Sequence, residues 1–164
     1  MWTPRAAALS FLMLVTLAFT AGVSSFAGLI DGAIRTELSG DATFGVVNGH
    51  GATPSVFTLS LTATGTEGSI LFTRPGGMRL APGTYAITGR DDGSDDIRVL
   101  VMTGAADHPT GVFRGRSGTL RITSVTDNVI RGSYRVEATG FLAADPGAED
   151  KAIRATGGFT ARRD

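Results

Sequence analysis

The chain contains no cysteine among its 164 residues. It therefore has no thiolate that could bind zinc or act as a nucleophile, and it cannot form the disulfides that stabilise many small secreted domains. A bacterial lipid anchor is excluded too, because its attachment requires a cysteine at the cleavage site. Only two histidines are present, His50 and His108, and they lie far apart in Gly- or Pro-flanked segments. The sequence therefore predicts no metal site and no cofactor.

Excess charge of either sign is also lacking, since 15 basic residues face 15 acidic ones. A neutral chain has no long-range field with which to gather nucleic acid, so a nucleic-acid partner is not expected. No Gly-x-Ser-x-Gly nucleophile elbow occurs, and neither histidine lies in a known catalytic motif. We therefore expect no catalytic residues and no enzymatic activity.

The first 27 residues have the layout of a secretory signal peptide. Arg5 supplies a positive charge, an apolar run follows from Ala6 to Thr20, and small residues end the segment. The run of about 15 residues is short of the ~20 needed for a permanent membrane span. Ser25 and Ala27 are small residues at the −3 and −1 positions of a cleavage site, so we expect cleavage after Ala27. Cleavage after Gly22 is the second choice. The alternative to a cleaved signal peptide is an uncleaved N-terminal anchor. The sequence thus predicts a signal peptide over 1–27 and a secreted or periplasmic domain over 28–164, without a membrane span after cleavage.

Glycine is abundant, with 23 residues, and it recurs between short runs of alternating apolar and polar residues. Strands spaced by such turn signals predict an all-β domain, a single antiparallel β-sandwich or flattened barrel of about eight or nine strands. The predicted strands outside the clearest hairpin are Ala33 to Ser39, Val56 to Ala63, Ser69 to Thr73, Thr84 to Thr88, Ile97 to Met102, Gly111 to Arg114 and Ala152 to Ala161. The predicted core comprises Leu59, Leu61, Ile70, Phe72, Tyr85, Ile87, Val99, Val101, Leu120, Ile122, Tyr134, Val136 and Phe159.

The clearest local structure is a hairpin over residues 117–139. Because the side-chain period of a strand is two, its register must keep both apolar sets on one face. A two-residue loop at Asp127 and Asn128 would pair Ile122 with Ser133 and fails this test. A three-residue loop that includes Thr126 pairs Leu120 with Tyr134 and Ile122 with Gly132, and it predicts a left-handed Asn128.

Three segments carry a resemblance to a known kind of protein. They are residues 32–44 (GAIRTELSGDATF), residues 81–87 (APGTYAI), and residues 118–124 (GTLRITS) followed by 130–134 (IRGSY) and 138–140 (ATG). This pattern resembles an uncharacterised family of small exported bacterial all-β proteins. The resemblance covers about half of the expected mature chain and consists of strand and turn residues. It implies an all-β fold and export, and it assigns no catalytic residues.

Two groups of charged residues are candidate sites. Asp91, Asp92, Asp95 and Asp96 surround a Gly-Ser pair and could supply oxygen ligands to calcium, but they lack the ligand spacing of an EF-hand loop. We favour a solvated turn there. The second group is the outer face of the hairpin, where Arg121, Arg131 and Arg135, together with Arg114 and Arg116, could bind phosphate or an acidic polysaccharide. A solvated strand face is favoured, because an antiparallel sheet ordinarily leaves one face polar.

Two functions fit these observations. The first is an exported non-catalytic protein that acts as an envelope or surface-binding component. The alternative is a small lipocalin-like barrel that binds an apolar small molecule, since small residues at Ala63, Gly132, Ala155 and Gly157 could leave a cavity among larger inward side chains. Such residues more often permit close packing of the backbone.

Overall fold

The computed structural model describes residues 23–50, 54–65, 68–77, 79–89, 96–145 and 150–164. These residues form strands and connecting turns, with no helix among them. A membrane-spanning helix is accordingly not found in the described part of the chain. The strands are β1 (Ser25–Gly32), β2 (Thr36–Val47), β3 (Val56–Ala63), β4 (Gly68–Pro75), β5 (Gly83–Thr88), β6 (Arg98–Ala105), β7 (His108–Val125), β8 (Val129–Leu142) and β9 (Lys151–Arg163).

Eight of the strands close into an antiparallel barrel. Their order around the barrel is β7-β6-β4-β3-β2-β1-β9-β8, and the pairing of β8 with β7 completes the ring. The extra strand, β5, pairs with the second half of β7, beyond the segment that β6 covers. The predicted all-β class is thus confirmed, and of the two predicted architectures the molecule adopts the barrel. Closure leaves no unpaired edge in the ring itself.

Large apolar side chains fill the interior of the barrel. All of the predicted core residues are buried except Tyr85, which is half-buried. The Tyr85 hydroxyl donates to the Ala81 carbonyl at 2.8 Å and accepts from the Ala81 N–H at 2.9 Å. These two bonds direct the Tyr85 side chain towards the surface. An eight-stranded barrel is just wide enough for side chains to fill, and this one is filled by them.

Two of the small inward residues mark close backbone approach and not open space. A Cβ added at Gly132 would lie 2.2 Å from the Arg121 carbonyl oxygen, and one added at Gly157 would lie 2.4 Å from that of Ala27. Both distances are shorter than any van der Waals contact, so the neighbouring strands occupy the room that a side chain would need.

The β7–β8 hairpin has the predicted pairing, Leu120 with Tyr134 and Ile122 with Gly132. The turn differs from the prediction. The Thr126 N–H donates to the Val129 carbonyl at 2.8 Å, which leaves Asp127 and Asn128 as a two-residue loop. Asn128 is not left-handed, contrary to our expectation.

A β-bulge reconciles this short loop with the apolar register. The pairing shifts between Ile122 and Ser124, so Thr123 is an extra residue on β7. A second shift between Gly115 and Ser117 leaves Arg116 extra in the same way. Bulges bend a strand and increase its twist, and these two let the 18-residue β7 follow the curved wall of the barrel.

Strand β1 was not predicted, and it overlaps the segment assigned to the signal peptide. It begins at Ser25, and Phe26 is 2% exposed in the core. Phe26 pairs with Gly40 of β2 on one side and with Phe159 of β9 on the other. Cleavage after Ala27 would therefore remove the first three residues of a strand inside the barrel wall.

Candidate functional site

One end of the barrel carries an open cleft of about 710 Å³. Three connections meet there: the turn between β1 and β2, the tight hairpin between β6 and β7, and the start of the segment that comes after β8. The lining residues are Ile34, Thr36, Thr103, Gly104, Thr110, Leu142, Ala143 and Ala144. We refer to this feature as the end cleft.

The β6–β7 hairpin fixes the shape of the end cleft. Gly104 has a φ of +80°, and a Cβ there would lie 2.8 Å from the Thr110 backbone nitrogen, so only glycine fits without strain. The hydroxyls of Thr103 and Thr110 lie 3.1 Å apart, and Thr103 is buried. The Ala143 N–H donates to the Thr110 carbonyl at 2.8 Å, which ties the segment after β8 to the same hairpin.

The lining of the end cleft is apolar apart from threonine hydroxyls. No charged side chain is among the lining residues that the structure describes, so an ionic group of a ligand would find no counter-charge among them. Ile34 and Leu142 also pack against the core, which makes the floor of the cleft continuous with the hydrophobic interior. A site of this kind suits an uncharged molecule with one or two hydrogen-bonding groups.

The other end of the barrel is covered by an arginine. The Arg79 guanidinium lies 5.8 Å from the centre of the Phe44 ring, and it donates to the carbonyl of Thr126 and to the Asp127 carboxylate. A space of only about 160 Å³ remains beside it. The two ends therefore differ, and the end cleft has the larger volume.

A tyrosine hydroxyl inside the barrel has no hydrogen-bond partner among the described residues. The Tyr134 ring contacts Phe72 with the centroids 5.5 Å apart, and its hydroxyl is buried against Gly28 and Gly157. Burial raises the pKa of this phenol well above its ordinary value of 10.0. The group is neutral at physiological pH, and no neighbouring base in the described part of the chain accepts its proton.

The predicted calcium loop falls largely outside the described residues. Asp91, Asp92 and Asp95 are not described, and Asp96 is half-buried just before β6. Elsewhere in the described chain, no three histidine or carboxylate side chains come together in a group that could hold a metal ion.

The two histidines are both exposed and lie outside the end cleft. The side chain of His108 is 87% exposed, and its Nδ1 lies 3.1 Å from the Asp107 carboxylate. His50 lies in the segment after β2 and is exposed as well. Ser55 accepts the N–H of Gly49, the neighbour of His50, at 3.4 Å. Among the described residues, neither histidine side chain forms the hydrogen bond to a serine hydroxyl that nucleophilic catalysis uses.

The hairpin arginines lie on the outer wall, as predicted. Arg121, Arg131 and Arg135 alternate with buried residues on β7 and β8, so all three point away from the core. Arg116 turns aside to donate to Thr139 at 2.7 Å. Arg154 of β9 was not among the predicted site residues. It donates to Glu137 at 2.7 Å, and this hydrogen bond and the charge of Glu137 raise the pKa of Arg154.

The end cleft could not be predicted from sequence pattern. Its lining comes from segments more than 100 residues apart, from Ile34 to Ala144, and no local pattern shows that they share one end of a barrel. The glycine in Thr103-Gly104 was the available signal, because an isolated glycine within an apolar run marks a bulge or tight turn. Comparison of this chain with protein-family models, with curated proteins and with solved structures gives no match.

Proposed function

We propose that this protein is an exported, non-catalytic β-barrel that binds an uncharged apolar molecule in the end cleft. The observation that carries the proposal is the cleft itself, about 710 Å³ in volume and lined by apolar and threonine side chains. Pockets for small molecules have volumes of about 300–1,000 Å³, mostly apolar walls and a few polar groups, and the mouth of a barrel is a usual place for them.

The proposal places the ligand at the mouth and not in a deep interior cavity. Phe72, Phe113 and Leu120 are fully buried and occupy the space that a lipocalin-like ligand would need. A ligand in the end cleft would cover Ile34 and Leu142 and would find the Thr103 and Thr110 hydroxyls at the base. The exported, non-catalytic part of the proposal is supported by the leader-like sequence at the N-terminus and by the positions of the two histidines away from the cleft.

The binding test uses the uncharged dye N-phenyl-1-naphthylamine, whose fluorescence rises in apolar surroundings. We expect saturable enhancement with the purified protein. Trp2 is the only tryptophan in the sequence, so a chain that begins at Val23 contributes little background. Ala144→Trp fills the cleft from an exposed position and is expected to weaken dye binding at least tenfold.

Ala86→Trp is the matched control. Ala86 is also exposed, but it lies on the outer side of β5, away from the end cleft. We expect the control to bind the dye as the unmodified protein does. Equal affinity in Ala144→Trp and the unmodified protein, or enhancement that does not saturate, would refute binding in the cleft.

A further inference from the structure

The outer side of strands β7, β8 and β9 carries a concentration of positive charge on a chain of zero net charge. We call this surface the arginine face; its members are Arg121, Arg131, Arg135, Arg154 and Arg162. Each lies at an outward position and is exposed. Glu137 lies among them and is engaged by Arg135 at 3.9 Å and by Arg154 at 2.7 Å. Asp31 of β1 pairs with Arg154 at the border of the face.

The strand register places four of these arginines in one continuous row. Arg131 pairs with Thr160, and Arg162 lies two residues farther along β9. Arg121 pairs with Ser133, which stands midway between Arg131 and Arg135 on β8. Diagonal neighbours on one face of a sheet are about 7–8 Å apart. The row therefore places four arginines at diagonal positions of three adjacent strands.

Three arginines of this row have no carboxylate partner in the described structure. Within the described chain, Arg135 and Arg154 form ion pairs with Glu137, whereas no ion pair involves Arg121, Arg131 or Arg162. The like charges of these diagonal neighbours repel one another. Carboxylate or sulfate groups of a ligand would remove that repulsion and would form the paired hydrogen bonds that a planar guanidinium favours.

The side chains between the arginines favour a carbohydrate. Thr119, Thr123, Ser133 and Thr156 are outward residues of the same strands, and their hydroxyls match those of a sugar chain. In the described stretch of these strands, no aromatic side chain stands outward between the arginines, because Tyr134 and Phe159 both point into the core. A surface without stacking groups is poorly suited to single-stranded nucleic acid.

We propose that the arginine face binds an acidic polysaccharide, with Arg121, Arg131 and Arg162 as its main contacts. This binding is separate from the end cleft and does not depend on the ligand proposed there. It would hold the exported protein at a surface that carries such a polymer. Because the contacts are exposed, salt weakens the binding by screening.

The test measures the affinity of the purified protein for polygalacturonate at low ionic strength. The double variant Arg121→Gln, Arg131→Gln is compared with Arg35→Gln, Arg163→Gln, which removes the same charge from two other exposed positions. Arg163 follows Arg162 in β9, but it lines the space beside Phe44 at the end of the barrel and is not part of the arginine face. We expect at least a tenfold loss of affinity in the first double variant and less than a twofold loss in the second.

Three results would overturn the proposal. The first is an equal loss of affinity in both double variants, which would show attraction by net charge alone. The second is equal binding to neutral dextran. The third is tighter binding to phosphatidylglycerol vesicles or to a single-stranded oligonucleotide, which would assign the face to a membrane surface or to nucleic acid. A polygalacturonate-dependent rise in Tm that the first double variant lacks would support the proposal independently.

Discussion

Removal of residues 23–27 is expected to unfold the barrel. The deletion takes Phe26 out of the core, where it is 2% exposed, and it removes the pairs that Ser25, Phe26 and Ala27 form with β9. It also removes Ser24, whose hydroxyl accepts the Ala42 N–H at 3.0 Å. Loss of a buried phenylalanine alone costs about 3–5 kcal/mol, and a domain of this size is stable by only about 5–15 kcal/mol.

Urea unfolding of chains that begin at Val23 and at Gly28 measures this effect. We expect a cooperative transition in the longer chain, and in the shorter one either no transition or a stability lower by at least ~4 kcal/mol. Phe26→Ala in the longer chain isolates the side chain and is expected to cost ~3 kcal/mol or more. Equal midpoints for the two chains would show that the first half of β1 contributes nothing to the fold.

The same packing bears on where a leader would be removed. A cut after Ala27 would release a chain without Phe26, whereas a cut after Gly22, the second of the two predicted positions, keeps β1 whole. Under the proposed export, we therefore expect the mature protein to begin at Val23. Intact mass measurement of the protein recovered after export checks this, and a mature N-terminus at Gly28 would contradict it.

The alternation of apolar and polar residues was sufficient to predict the antiparallel hairpins. It was not sufficient to predict the strand pairings that close the barrel. The alternation in residues 56–63 predicted β3 with its observed ends, and the apolar sets of β7 and β8 predicted the pairing of Leu120 with Tyr134. The prediction of the turn was wrong because we rejected a two-residue loop without allowing for a bulge at Thr123. A bulge changes the register by one residue and leaves no composition signal of its own.

Strand β1 was missed for a different reason. Its sequence, SFAGLIDG, has small residues at the points where cleavage is expected, so the leader pattern and the strand pattern overlap. Its partners are also distant: Phe26 pairs with Phe159 near the other end of the chain. Such non-local pairing closes the barrel, and periodicity within one segment carries no information about it.

The candidate sites show the same division between local and long-range information. The outward position of Arg121, Arg131 and Arg135 is predicted by alternation along one hairpin and is found in the structure. Arg162 joins these residues in the arginine face only through the pairing of β8 with β9. That pairing turns a solvated hairpin face into a wider basic surface, which is why we propose a binding role where the sequence alone favoured none.

Two substitutions of Tyr134 are expected to have different effects on stability. Tyr134→Ala removes a ring that contacts Phe72 in a closely packed core, and it is expected to cost ~3 kcal/mol or more. Tyr134→Phe keeps the ring and removes a buried hydroxyl without a partner in the described structure. Burying such a hydroxyl costs about 1–3 kcal/mol in proteins, so this variant is expected to be at least as stable as the unmodified chain. Urea midpoints of both variants measure the difference.

Alkaline pH supplies an independent readout of the same hydroxyl. Burial raises the pKa of Tyr134 in the folded state, whereas in the unfolded chain a tyrosine ionises near pH 10. Above that pH the unfolded state binds fewer protons than the folded state, so stability falls as the pH rises. The unmodified chain is expected to lose more stability between about pH 9 and 11 than Tyr134→Phe does. Identical pH profiles would show that the pKa of Tyr134 is not raised in the folded protein. A loss above ~1 kcal/mol in Tyr134→Phe at neutral pH would show that the hydroxyl has a hydrogen-bond partner there.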